Sequence, residues 1–193
     1  MAEDLISSTG KGLVYEDHIP LRWRTIHAPL PPTRLSQLDQ QNEELLAFTA
    51  TLEEHKGDVA DDEHDPYRQD VQRVEHKVNL LLDMVGQLLA RQTDMPDPVA
   101  VRLAPGAIEW HAPQPPAVND SLLLEIFINP KYPSPLIFVG HVCKVEPHEQ
   151  GVRIVAELDQ GSASVTHALE KFIFRHHRRL VALARKGQAE RGE

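Results

Sequence analysis

The sequence is poor in cysteine, in long apolar runs and in positive charge, and each shortage closes off a class of function. One cysteine, Cys143, among 193 residues cannot close an internal disulfide, which points to a reducing compartment. No uncharged apolar stretch approaches the ~18 residues that a membrane span requires. The opening MAEDLISSTG carries neither a basic block nor an apolar one, so no signal peptide is expected and the location is read as cytoplasmic. Acidic residues outnumber basic ones by 29 to 20, a net charge of -9, so the chain as a whole lacks the electrostatic footprint of a nucleic-acid binder.

Catalytic signatures are missing as well. There is no G-x-S-x-G elbow, no Rossmann glycine pattern, no H-E-x-x-H and no Cys/His ligand set, despite 11 histidines. Thr9-Gly10-Lys11-Gly12 lacks the first glycine and the final hydroxyl residue of a phosphate loop. The acidic run GDVADDEHD lacks the spacing and the closing glutamate of a calcium loop, so Asp58, Asp61, Asp62 and Asp65 read as a solvated turn. Cys143 alternates within an apolar segment and is expected in the core. No enzyme, cofactor or metal is expected.

What the chain does have is a heptad pattern, twice. In Asp65 to Gln92, Val71, Val74, Val78, Leu81, Val85 and Leu88 recur at alternating spacings of three and four, the a/d repeat of a coiled coil. Leu82 and Leu89 follow the d positions and widen the stripe beyond a two-stranded seam. Thr33 to His55 repeats the spacing with Leu35, Leu38, Asn42, Leu45, Thr49 and Leu52. A polar residue in such a seam penalises wrong registers, so Asn42 and Thr49 either specify an oligomer or lie on a half-buried face. With a tight acidic turn between them, the two helices form an antiparallel hairpin. It serves either an intrachain bundle or self-association, and the latter is the expectation, with a tetramer favoured.

Outside this insertion the period is two. Ile19, Leu21 and Trp23 alternate with Pro20, Arg22 and Arg24. Short apolar or alternating segments follow from Val99 to Leu103, Ile108 to Trp110, Leu122 to Ile128, Leu136 to Val145 and Gly151 to Leu158, each set off by Pro, Gly or Asn turns. They read as a small antiparallel barrel or sandwich. A last helix runs from Ser162 to about Arg185, with an apolar stripe from Val165 to Leu183. Its other side carries Lys171, Arg175, His177, Arg178, Arg179, Arg185 and Lys186. That cluster suits an acidic partner, or follows from a helix C-terminus attracting cations; without interleaved aromatics, nucleic acid is not the expected partner.

The segment YEDHIPLRWR, the turn VRLAPGAIEW, the strands LIFVGHVCKVEP and GVRIVAEL and the closing helix together resemble a PilZ domain, a bacterial family that commonly senses cyclic di-GMP. The long heptad insertion resembles the atypical, oligomeric PilZ proteins of xanthomonad-type bacteria. The family's ligand site uses R-x-x-x-R followed by D/N-x-S-x-x-G. Here the first motif shrinks to Arg22 and Arg24, and the second places Arg102, Ala104 and Ala107 at its polar, serine and glycine positions. Losing several hydrogen bonds at about 1–3 kcal/mol each would remove a micromolar site.

The resemblance implies an α+β chain with this organisation: residues 1–12 a disordered start, 13–28 the first barrel strand, 29–95 the helical insertion, 96–186 the rest of the barrel and its helix, and 187–193 a disordered tail. It implies a homo-oligomeric scaffold in bacterial signalling, motility or virulence, whose partner protein the sequence does not name. The alternative is a cyclic di-GMP receptor using Arg22, Arg24 and Arg102 in another geometry.

Overall fold

The period-two segments become six strands: β1 (Tyr15–Thr25), β2 (Pro98–Ala104), β3 (Ala107–Ala112), β4 (Ser121–Ile126), β5 (Leu136–His148) and β6 (Gly151–Leu158). Three helices complete the chain: α1 (Pro32–Glu54) and α2 (Pro66–Gln92) between β1 and β2, and α3 (Ala163–Ala189) after β6. The computed structural model describes residues 14–54, 66–129, 131–148, 151–159 and 161–189; residues 53–54, 66–69 and 183–189 are described by their backbone only. The start at 1–12, the acidic turn and residues 190–193 lie outside the described residues. The last helix continues to Ala189, past the expected boundary at 186.

The strands close in the order β1-β2-β3-β6-β5-β4, each neighbour antiparallel. Closure falls to β1. Its first half, Tyr15 to Pro20, pairs with β2, and its second half, Leu21 to Thr25, pairs with β4. The change of partner comes at Pro20, which has no N–H to donate and accepts from Phe127 N at 3.0 Å. A closed barrel leaves no edge for another chain to extend.

Alternation sends Ile19, Leu21, Val101, Leu103, Ile108 and Trp110 inward, together with Leu122, Leu124, Leu136 and Ile154. Helix α3 lays Val165, Leu169, Phe172 and Ile173 on this core, and Phe172 packs against the Tyr15 ring at 5.2 Å.

Helix α1 also belongs to the core. Leu38 and Leu46 are buried, and Asn42 faces the barrel, where its amide donates to Ile137 O and its carbonyl accepts from Ile137 N, both at 2.8 Å. The physical reason lies in the strand ladder. The β5–β6 pairing begins at Gly140, so Ile137 lies beyond it, and Asn42 supplies the donor and acceptor that β6 does not reach. Asp39 accepts from Ser162 N at 2.8 Å and Glu43 from the Ser164 hydroxyl at 2.5 Å, fixing α1 to the start of α3. The buried Thr49 hydroxyl returns to Leu45 O.

Cys143 is exposed rather than in the core, on the outer side that the buried Phe138 and Val142 leave to it. The β5–β6 register shifts between Val142, opposite Ala156, and Lys144, opposite Val155. Cys143 is the extra residue of a bulge, and a bulge flips the facing of every residue after it.

Candidate functional site

Two features bear on function, the stripe of α2 and the outer arginine face of the barrel.

Among the described residues, nothing covers the α2 stripe. Val71, Val74, Val78, Leu81, Val85 and Leu88 are between 47% and 61% exposed. Helix α2 meets the body from its other side. There Gly86 approaches the Lys131 carbonyl so closely that a Cβ would collide with that oxygen, and Asp83 pairs with Lys131 at 3.8 Å. The neighbouring Tyr132 takes the edge of Phe48 from α1 at 5.3 Å. Gly86 and Asp83 occupy b and f positions of the heptad, so the joint leaves a and d free.

Of the sequence-predicted stripe residues, Leu81, Val85, Leu88 and Leu89 are exposed along with the three N-terminal valines, and Leu82 is half-buried toward the joint. Leu80 and Met84, which the a/d reading passed over, are 55% and 54% exposed at c and g and broaden the stripe further. The α1 residues divide differently. Leu38 and Asn42 are sealed inside the protomer, Leu45 and Leu52 are half-buried and Leu35 is exposed. This corrects the expectation of one seam running over both helices. A heptad stripe asks for an apolar cover, and for α1 the barrel and α3 supply it.

The arginine face is a ladder of ion pairs. On β1, Arg22 stands opposite Glu125 of β4 and bonds it at 3.2 Å; its other nitrogen reaches the Asp94 carbonyl. Arg24 is exposed. On β2, Arg102 bonds Glu16 at 2.8 Å and Glu109 at 3.4 Å. The row continues with Arg153, which joins Glu109 at 2.8 Å and Glu146 at 3.1 Å, and ends with Lys144 on Glu146 at 2.8 Å. Burial pushes the Glu109 carboxyl up, but the Arg153 hydrogen bond with the charges of Arg153, Arg102 and His111 outweighs it and holds Glu109 below its ordinary range. Next to it the His111 ring meets that of His148 at 4.6 Å in a tilted pair; burial and the second imidazole push its pKa down.

The fold does not bring the predicted arginines together. Arg22 is level with Glu125, whereas Arg102 is level with Glu16, six residues back along β1 and about 20 Å away at the rise of a strand. Ala104 and Ala107 face each other across the Pro105-Gly106 turn, both buried, and offer no side-chain polar group. The ladder was missed in the sequence, although charges set within apolar segments, Glu109 in AIEWHA and Arg153 in GVRIVAEL, are the signal that marks it.

A model of the atypical PilZ domain, described as a cyclic di-GMP receptor, matches residues 45–186. The chain belongs to the atypical PilZ domain family. PilZ domains are binding domains, and the α+β barrel with inserted helices is the PilZ-like fold. Among solved structures this PilZ chain is similar to a pathogenic protein of Xanthomonas campestris, at 21% identity over 88% of this chain and 91% of that one, with a TM-score of 0.71. That protein is described as a tetrameric PilZ domain self-assembled through an unusual helical bundle. A second similarity, to the Bacillus subtilis inhibitor of motility MotI/DgrA, spans 42% of each chain at 15% identity and a TM-score of 0.36. Comparison with curated proteins gives no match. Among the described residues no helix of this PilZ protein is long and apolar enough to cross a membrane.

Proposed function

We propose that this PilZ protein is a homo-oligomer joined through α2, and that it serves as a protein-interaction scaffold in bacterial signalling, motility or virulence without binding cyclic di-GMP on its arginine face. The observation that carries the reading is the bare α2 stripe. Each Val or Leu there stands to gain about 1 kcal/mol or more from covering its remaining exposed surface, so a second copy of the same stripe is a strongly favourable cover. Valine at each a position with leucine at two of the three d positions, taken alone, suits two strands. The added width of Leu80, Leu82, Met84 and Leu89 favours more than two, and a tetramer agrees with the assembly described for the Xanthomonas relative.

The arginine ladder supports the absence of cyclic di-GMP binding. A phosphate would have to displace Glu16 and Glu109 from Arg102, and Glu125 from Arg22, before gaining a contact. The second reading is a receptor, favoured by the family's description and by the exposure of Arg24. Calorimetric titration of cyclic di-GMP separates them. No heat up to high micromolar ligand supports the scaffold, and saturable binding lost in Arg24→Ala makes the protein a receptor.

A further inference from the structure

Helix α3 changes character at His176. Up to that point one face is spent on the barrel, ending where the His176 ring meets Tyr15 at 4.3 Å. The helix then continues from His177 to Ala189, about 20 Å at the helical rise, and residues 177 to 182 are exposed throughout. The face turned away from the barrel is not bland. Lys171, Phe174, Arg178 and Val181 fall at i, i+3, i+7 and i+10, which stacks them in a single stripe. Phe174 is 47% exposed and Val181 37%, and the Arg178 guanidinium lies 5.9 Å from the Phe174 ring centre.

The charge of this segment opposes that of the chain. Residues 171 to 189 hold six of the 20 Lys and Arg residues and no Asp or Glu, leaving 14 basic against 29 acidic residues elsewhere. The helix dipole does not account for it, since that attraction fades within the last turn and Lys171 lies five turns from Ala189.

We propose that the outer face of this half of α3 docks an acidic, amphipathic segment of a partner protein, its carboxylates meeting Lys171 and Arg178 and its apolar side chains covering Phe174 and Val181. A polyphosphate backbone offers no apolar side chain to cover Phe174 and Val181. A bilayer also asks for a broad apolar face, and the broad face of α3 is already on the barrel. A short carboxylate-bearing peptide segment meets neither obstacle. The surface lies apart from the α2 stripe, so it stands or falls independently of the assembly.

The test uses the full chain and a fluorescent helical peptide with a leucine stripe flanked by glutamates, read by anisotropy. Its glutamine counterpart, vesicles containing phosphatidylglycerol and a short DNA duplex serve as competitors. We expect salt-sensitive binding of the glutamate peptide, weakened about tenfold or more by glutamine replacement and by Lys171→Glu with Arg178→Glu. Phe174→Ser weakens it several-fold with the solution mass unchanged. Absence of binding, equal binding of both peptides, or indifference to these exposed substitutions overturns the proposal. Tighter binding of vesicles or duplex overturns the assignment to a protein partner.

Discussion

Helices α1 and α2 carry the same heptad spacing and meet opposite fates. In α1 the stripe is covered within the protomer, and its polar member Asn42 completes the backbone pairing of Ile137. In α2 the stripe is wholly apolar and faces away from the body, which touches the helix at Gly86 and Asp83. The pattern states that a face requires an apolar cover. The polar interruptions and the small residue on the reverse side decide where that cover comes from.

The largest effect that tests this contrast is expected in α2. Val78→Glu with Val85→Glu places two charges per chain in the seam and should reduce the solution mass to the 21.7 kDa of one chain, while the barrel keeps its thermal transition. The matching change in α1 should do the reverse. Leu46→Ala empties a fully buried site and should lower protomer stability by about 2–5 kcal/mol in chemical denaturation. Asn42→Ala follows at about 2–3 kcal/mol, because it leaves the Ile137 N–H and C=O without their partner. If Asn42→Ala instead changes the oligomer mass and leaves the protomer's stability alone, the division between the helices is wrong.

The smallest effect is in pH. His111 has a lowered pKa, so the unfolded chain takes up its proton first and the stability His111 contributes is present above the ordinary value of 6.5 and lost as pH falls below it. Glu109 is also lowered, so its contribution is present above 4.5 and is lost as pH falls further, through its folded value. In His111→Gln the first decline should flatten and the second remain, measured by denaturation at a series of pH values.

Much of this was readable from local pattern. The six strands and three helices follow from periods of two and three-to-four, and α2 begins and ends almost where its prolines and stripe place it. What escaped depends on partners distant in sequence. Closure by β1 rests on pairings with Leu103 and Ile126 some hundred residues away, and the same pairings set Arg102 of β2 beside the first half of β1 while Arg22 lies in its second half. Cys143 lies outside by simple alternation from the buried Phe138 and Val142, and the nearly continuous apolar run LIFVGHVCKV hides which of its two faces turns inward. The covering of Leu38 and Asn42 was invisible because a heptad reads alike whether the barrel or a second copy lies over it.

The measurement that bears most directly on the central claim is the mass of the intact protein by light scattering at micromolar concentration. The account predicts about four times the 21.7 kDa of a single chain, set by α2 alone. A mass of one chain, with α2 still helical and its valines and leucines facing water, would contradict it.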